Sequence, residues 1–140
     1  MRMILFISAL IFGLGNQVKS QTMVGLSKSQ VISVMKSDHK KFHKDDSVIK
    51  QRYNYLKYIN GPRTKTWIIY FNDEDICKSS KVVCDYSDFD KVFEEIDSKY
   101  RQTGEYLWEF QHGSDTIQVE LKKLEWYFSV REAKKTEEIL

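Results

Sequence analysis

Two histidines, His39 and His43, have the spacing that comes nearest to a metal site. Residues four positions apart share one face of a helix, as paired zinc ligands do, and the carboxylates of Asp38, Asp45 and Asp46 lie nearby. No glutamate follows His39 in the zinc-protease pattern, however, and the surrounding segment is charged and lacks a helical period. We therefore interpret both histidines as exposed residues of a connector, and the sequence predicts no metal and no cofactor.

Nucleophilic catalysis has no better support in the sequence. Neither Cys77 nor Cys84 has a histidine close to it along the chain, and no serine lies in a Gly-x-Ser-x-Gly elbow. Residues 72–75 are rich in carboxylates but lack the glycine and distal glutamate of a calcium loop, so they predict a polar turn. Because distant residues can converge in space, a small periplasmic hydrolase or metal-dependent enzyme stays as the alternative function.

Aromatic residues form a third group of candidates. The chain has eight tyrosines and three tryptophans, and both residue types are common anchors of protein interfaces. Most of them match the buried side of predicted strands and are assigned to the core. Tyr127 and one or more of Tyr53, Tyr55 and Tyr58 remain as candidate binding residues at the surface.

The first 20 residues have the features of a secretory signal peptide. Arg2 precedes an apolar run over residues 4–14, and small residues lead to an expected cleavage after Ser20. The run is too short for a permanent membrane anchor, so no membrane span is expected after cleavage. Residues 21–132 then form a single domain, and residues 133–140 form a charged tail. The predicted location is secreted or periplasmic.

Charge argues against a polyanionic partner. The full chain has a formal net charge of +2. Residues 1–20 contain Arg2 and Lys19 and no acidic residue, so the remaining chain is formally neutral. A balanced chain lacks the basic surplus typical of proteins that bind nucleic acid.

Cys77 and Cys84 raise the question of a disulfide in an exported chain. Seven residues separate them, so on one regular strand they would face opposite sides of the sheet. A bond between them requires a turn or bulge at residues 78–81. Both the bonded and the free state stay open at this stage.

Two helices are expected. Ser27 and Gln30 have the spacing of a capping box at the start of the first helix. Residues 87–100 carry an apolar stripe that includes Phe89, Phe93 and Ile96, which predicts a second, amphipathic helix.

About six strands are expected around these helices. They cover residues 48–59, 66–71 and 76–85 before the second helix and three alternating runs between residues 105 and 131 after it. In the last run, inward and outward residues alternate, and Trp126 is at an inward position. It is therefore expected to face the second helix together with Trp108 and Phe128. The predicted fold is α+β, with one antiparallel sheet, both helices on one face and the order α-β-β-β-α-β-β-β.

Three short segments carry a resemblance to known proteins. They are the Gly-Leu-Ser-x-x-x-Val pattern of residues 25–31, residues 69–77 and residues 125–130. With the element order, they resemble small secreted bacterial proteins of the beta-lactamase-inhibitor-protein-like type. The resemblance implies protein binding, envelope assembly or inhibition rather than catalysis, and it assigns no functional residue.

The sequence therefore predicts an exported, non-catalytic binding or envelope-interaction module. Its partner is expected to be a protein or another component of the cell envelope.

Overall fold

A computed structural model describes residues 22–47 and 52–135 of the chain. The predicted signal peptide therefore lies outside the described residues. Within them, the elements in chain order are α1 (Lys28–Asp38), β1 (Phe42–Lys44), β2 (Tyr55–Asn60), β3 (Lys65–Phe71), β4 (Cys77–Cys84), α2 (Phe89–Lys99), β5 (Arg101–Gly104), β6 (Leu107–His112), β7 (Asp115–Lys123) and β8 (Phe128–Lys134). None of the helices in this part of the chain is both long and apolar enough to cross a membrane.

The eight strands form one antiparallel sheet in the order β1-β2-β3-β4-β8-β7-β6-β5. Each half of the chain is one helix followed by four strands, and the halves join where β4 pairs with β8. The prediction of an α+β fold with one antiparallel sheet and two helices is confirmed. The predicted six strands and their order are wrong, because β1 and β5 were not recognised. Both are short, polar strands at the sheet edges, where little apolar alternation is required.

Helix α1 begins with the predicted capping box. Oγ of Ser27 accepts a hydrogen bond from the Gln30 backbone N–H, and the Gln30 side chain accepts one from the Ser27 N–H. These contacts satisfy two backbone donors that the first helical turn leaves unpaired. Val31 and Met35 are then buried against a cluster that includes Ile69 of β3.

Helix α2 packs over the second half of the sheet. Ile96 is buried, and Phe93 lies edge-on to the Trp108 ring with 5.7 Å between centroids. Phe89 makes a similar edge contact with Phe128 at 5.1 Å. These rings form a second apolar cluster with residues of β6, β7 and β8.

Strand register places both clusters on the same face of the sheet. One row of paired residues runs across five strands and contains Tyr58, Trp67, Val82, Val130 and Leu121. Tyr58 belongs to the cluster under α1, whereas Leu121 and Val130 belong to the cluster under α2. Because side chains alternate along a strand, the residues between these lie on the opposite face, which we call the open face.

Trp126 does not face α2, so this expectation is wrong. Its side chain is 80 % exposed, and β8 begins only at Phe128. The Leu124 N–H donates to the Tyr127 carbonyl at 2.9 Å, which closes a tight turn before the strand. The Tyr86 hydroxyl also donates to the Leu124 carbonyl. Alternation in the sequence therefore extends two residues further than the strand itself.

Two predicted boundaries also differ from the observed ones. The first long strand was expected from residue 48, whereas β2 begins at Tyr55, and residues 48–51 lie outside the described part. At the other end, β8 continues to Lys134, three residues beyond the end of the last predicted strand at residue 131.

Candidate functional site

The open face is the surface of the sheet that neither cluster covers. Its central row consists of residues paired across six strands, namely Lys57, Ile68, Lys81, Arg131, Glu120 and Leu107. A neighbouring row consists of Tyr55, Tyr70, Ser79, Ala133, Gln118, Glu109 and Arg101. Strands β4 and β8, which join the two halves, therefore lie in the middle of this surface.

Three tyrosines gather at one side of the open face. Tyr55 and Tyr70 are paired across β2 and β3, and their ring centroids are 6.4 Å apart. Burial raises the pKa of the Tyr70 hydroxyl, Tyr55 and Tyr53 raise it further, and Arg131 opposes them. Tyr53 is 62 % exposed, and Tyr55 and Tyr70 are partly exposed beside it.

A small recess adjoins the cluster. It has a volume of about 120 Å³, and Tyr53, Tyr55, Lys57 and Asp45 are among the residues that line it. Lys57 Nζ lies 3.3 Å from Asp45 Oδ2, so this lysine already has a counter-charge.

Two cations face each other at the centre of the open face. Lys81 of β4 and Arg131 of β8 are direct cross-strand partners. Within residues 22–47 and 52–135, neither side chain has a carboxylate at ion-pair distance. Like charges directly opposite one another are unfavourable in a sheet, whereas Glu120, the neighbour of Arg131 on β7, offers it an opposite charge. We call Lys81 and Arg131 the basic pair.

A groove of about 420 Å³ begins at Arg131 and Ser79. It extends toward the start of β4, where the chain before α1 crosses the strand end. There the Gly25 N–H donates to the Cys77 carbonyl, and the Cys77 N–H donates to the Leu26 carbonyl. Gly25 has φ of +90°, a backbone conformation that residues with a side chain rarely adopt.

Several titratable groups are buried away from the open face. Glu132 lies on the helix-covered face between Ser80 and Val119, and burial raises its pKa, which a Thr22 hydrogen bond and the charge of Lys99 oppose. Burial is also the main cause that raises the pKa of Tyr100 to about 12, and the charge of Glu132 adds to it. Glu132 is therefore on the side of the sheet opposite to the open face, and Tyr100 packs at the edge of the cluster under α2.

The four tyrosines predicted from the sequence separate into different places. Tyr53 and Tyr55 belong to the tyrosine cluster. Tyr58 is only 5 % exposed and lies in the core under α1. Tyr127 is 43 % exposed but lies in the turn between β7 and β8, next to Trp126.

Tyr70, Lys81 and Arg131 were not identified from the sequence. In the β3 segment, alternation with the buried Ile69 points Tyr70 outward, and this is the signal that could have identified it. Lys81 and Arg131 are neighbours because β4 pairs with β8. The paired residues are about 50 positions apart in the chain, and no local sequence pattern predicts this pairing.

His39 and His43 lie on opposite sides of the sheet. His39 caps the end of α1 and makes an edge contact with Trp67 at 4.9 Å, whereas His43 pairs with Ile59 on the open-face side. Burial lowers the pKa of His39, and Asp38 opposes this. The two imidazoles therefore do not form the paired site that a metal-dependent enzyme would need here. Across the described ranges, no group of three or more His, Cys, Asp or Glu side chains could hold a metal ion.

Residues 72–75 form the turn between β3 and β4. The Asn72 side chain accepts hydrogen bonds from the Glu74 and Ile76 N–H groups, both at 3.0 Å. The Asp75 carboxylate accepts one from the Asn54 side chain at 2.6 Å, and this bond is the main cause that lowers its pKa. The turn is therefore held by the Asn72 side chain and by Asn54, which lies just before β2.

Cys77 and Cys84 are free thiols in the structure and occupy the two ends of β4. At about 3.3 Å per residue, an extended strand of this length separates them by roughly 20 Å. A bond within one molecule requires a closer approach. Both thiols are buried in the core.

The fold and this surface define an α+β domain with one sheet face covered by helices and the other carrying tyrosines and two facing cations, Lys81 and Arg131. Comparisons of the chain with protein-family models, with curated proteins and with solved structures found no match.

Proposed function

We propose that this protein is an exported, non-catalytic binding module that holds a protein of the cell envelope on the open face of its sheet. The observation that carries the proposal is the tyrosine cluster, Tyr53, Tyr55 and Tyr70, beside Arg131. Tyrosine and arginine are enriched among the residues that dominate the binding energy of protein interfaces.

The setting of the cluster supports this function. Tyr55 and Tyr70 project from paired strands, so their backbone positions are set before a partner arrives. Ordering flexible side chains or loops lowers affinity, and a surface on a rigid sheet avoids much of that loss. The basic pair adjoins the cluster and adds electrostatic selectivity.

Two sequence expectations agree with the proposal. The signal-peptide features of residues 1–20 support export, and the resemblance to beta-lactamase-inhibitor-protein-like domains supports protein binding. Export has a simple test, because N-terminal sequencing of the protein isolated from its own cells should begin at Gln21. A sequence that begins at Met1 would contradict export with cleavage.

Site-specific photo-crosslinking tests the binding function. A photoreactive phenylalanine analogue replaces Tyr53 in cells that naturally make the protein, and the matched control carries it at Glu94, an exposed residue of α2. We expect a discrete covalent adduct with one partner from position 53 and none from position 94.

A double substitution then tests whether formation of the adduct depends on the tyrosine cluster. In a Tyr53→Ala/Tyr55→Ala variant that carries the analogue at Thr66, another open-face residue, we expect the adduct to fall at least about tenfold. Absence of an adduct from both positions 53 and 66, or equal adducts from positions 53 and 94, would contradict the proposed function.

A further inference from the structure

We propose that the partner presents an acidic segment of its chain to the open face, with its carboxylates bound by Lys81 and Arg131. This inference rests on the proposed binding function and names the chemistry of the partner. It follows from a comparison of the cations on this surface, some of which have a carboxylate partner among the described residues, whereas Lys81 and Arg131 do not.

Several other cations on or near the open face already have carboxylate partners. Arg101 lies 3.3 Å from Glu109, and Lys135 lies 2.6 Å from the same carboxyl group. Lys134 lies 3.3 Å from Asp115. Lys81 and Arg131 are different, because they face each other and no carboxylate of the described residues lies within 4.0 Å of either.

A bound carboxylate would reverse the unfavourable charge arrangement at this point. Two facing cations repel each other, and an anion between them is attracted to both. Arginine also binds carboxylates through two parallel hydrogen bonds, which favours a carboxylate over a diffuse negative charge.

The groove that begins at Arg131 provides room for the adjoining part of the same segment. Besides Arg131, its lining includes Lys78 and Lys134, of which Lys134 is paired with Asp115, and among the described lining residues none is aspartate or glutamate. A groove with cations and without carboxylates favours an anionic occupant. Its volume of about 420 Å³ is within the range of pockets that bind small ligands.

The composition of the rest of the face favours a protein over a nucleic acid or a lipid surface. Glu120 is exposed and lies directly across from Arg131, so a continuous array of phosphates would meet a carboxylate beside the basic pair. The Tyr53, Tyr55 and Tyr70 side chains suit apolar residues that flank an acidic position. A segment of mixed acidic and apolar residues matches both features.

Selection from a random dodecapeptide display library on the purified protein tests the inference. We expect the selected peptides to be enriched in aspartate and glutamate relative to the input library. Synthetic copies should bind at least about tenfold more weakly to a Lys81→Glu/Arg131→Glu variant, since repulsion replaces attraction. The matched control is Lys40→Glu/Lys41→Glu, which makes the same charge change at exposed residues between α1 and β1 and should leave binding unchanged.

The outcomes separate this inference from the proposed function. Peptides without acidic enrichment, or acidic peptides that bind the Lys81→Glu/Arg131→Glu variant equally well, would overturn the inference. If the peptides that overturn the inference still bind Tyr53→Ala/Tyr55→Ala more weakly than the natural protein, the proposed binding function is retained. Only the acidic chemistry of the partner is then rejected. Binding to phosphatidylglycerol vesicles, with no peptide selected, would overturn the inference in favour of a lipid surface. Thermal unfolding of each variant verifies that it is folded.

Discussion

The Trp108 indole nitrogen donates a hydrogen bond to Oδ1 of Asp97 at 3.1 Å, which joins the fully buried centre of β6 to helix α2. Trp108 is also in edge contact with Phe93 of the same helix. One side chain of the sheet thus makes both a polar and an aromatic contact with α2, and together these contacts define how the helix sits on the sheet.

Removing the acceptor of this hydrogen bond should destabilise the protein. In Asp97→Ala the indole N–H loses its partner inside the core, so we expect the free energy of unfolding to fall by about 1–3 kcal/mol. Glu94→Ala, at an exposed position of the same helix, should change it by less than about 0.5 kcal/mol. Urea unfolding measures both values, and equal values would mean that the hydrogen bond contributes nothing.

Glu132 should make the protein less stable as the pH rises. Burial raises its pKa in the folded state above the ordinary value of 4.5, so folding favours the protonated carboxyl group. The free energy of unfolding should therefore decrease as the pH rises from the unfolded pKa to the folded one. Thr22, Lys99, Tyr100 and Cys77 are the polar and titratable groups that interact with this carboxyl group.

A neutral side chain at position 132 should remove this dependence. We expect Glu132→Gln to match the natural protein near pH 4 and to exceed it in stability at pH 7, in urea unfolding measured across this range. Glu120→Gln, at an exposed position on the open face, is the control and should leave the pH dependence unchanged. A Glu132→Gln variant that is less stable than the natural protein at pH 7 would contradict the expectation.

The two thiols should be unreactive while the protein is folded. Burial raises the pKa of Cys77 to about 12 and that of Cys84 to about 11, so very little thiolate is present at pH 8. An aromatic disulfide reagent should therefore react very slowly with the native protein and rapidly with both thiols in guanidinium chloride. If protein isolated from its own cells releases no thiol even when unfolded, its cysteines are bonded rather than free.

Trp126 should contribute little to the free energy of unfolding. It should account for most of the tryptophan fluorescence that a quencher in solution can reach. Because its side chain is largely exposed, Trp126→Ala should change the free energy of unfolding by less than about 0.5 kcal/mol. Trp108→Ala, in the core, should cost about 3–5 kcal/mol. Trp126→Ala should also remove most of the fluorescence that acrylamide quenches in the native protein, and quenching that persists would place another tryptophan in solvent.

The capping box at the start of α1 should have a measurable effect. Ser27→Ala removes the acceptor for the Gln30 N–H, so we expect a loss of about 1 kcal/mol in the free energy of unfolding. Ser33→Ala, at an exposed position within the same helix, should cause no loss. A thermal unfolding series that gives the same result for both would contradict a role for the cap.

Elements with a local cause were predictable. The capping box at Ser27 depends on residues three positions apart, and the apolar stripe of α2 depends on a helical period. The alternation of β6 and β7 is likewise visible in the chain, because one side of each strand is buried. Edge strands β1 and β5 have few buried residues, so they leave no comparable pattern.

The candidate site was only partly predictable. Tyr53 and Tyr55 were named because aromatic residues are abundant, but the same reasoning also named Tyr58, which is in the core. Side chains along β2 point alternately to the two faces of the sheet. Residue type alone does not indicate which face a given tyrosine is on. Trp126 shows the same limitation, because alternation in sequence continues through a turn that ends the strand.

The sequence by itself determined the helices, most of the strands and the α+β class, since capping, helical period and strand alternation act over a few neighbouring residues. Only the tertiary structure decided that β4 pairs with β8, and this pairing brings Lys81 opposite Arg131 from positions 50 residues apart. It also decided that Tyr70 joins Tyr53 and Tyr55 beside them. The physical reason is that strand order and register depend on how the whole sheet buries its apolar face. Residues from different strands become neighbours on the open face only through that order and register.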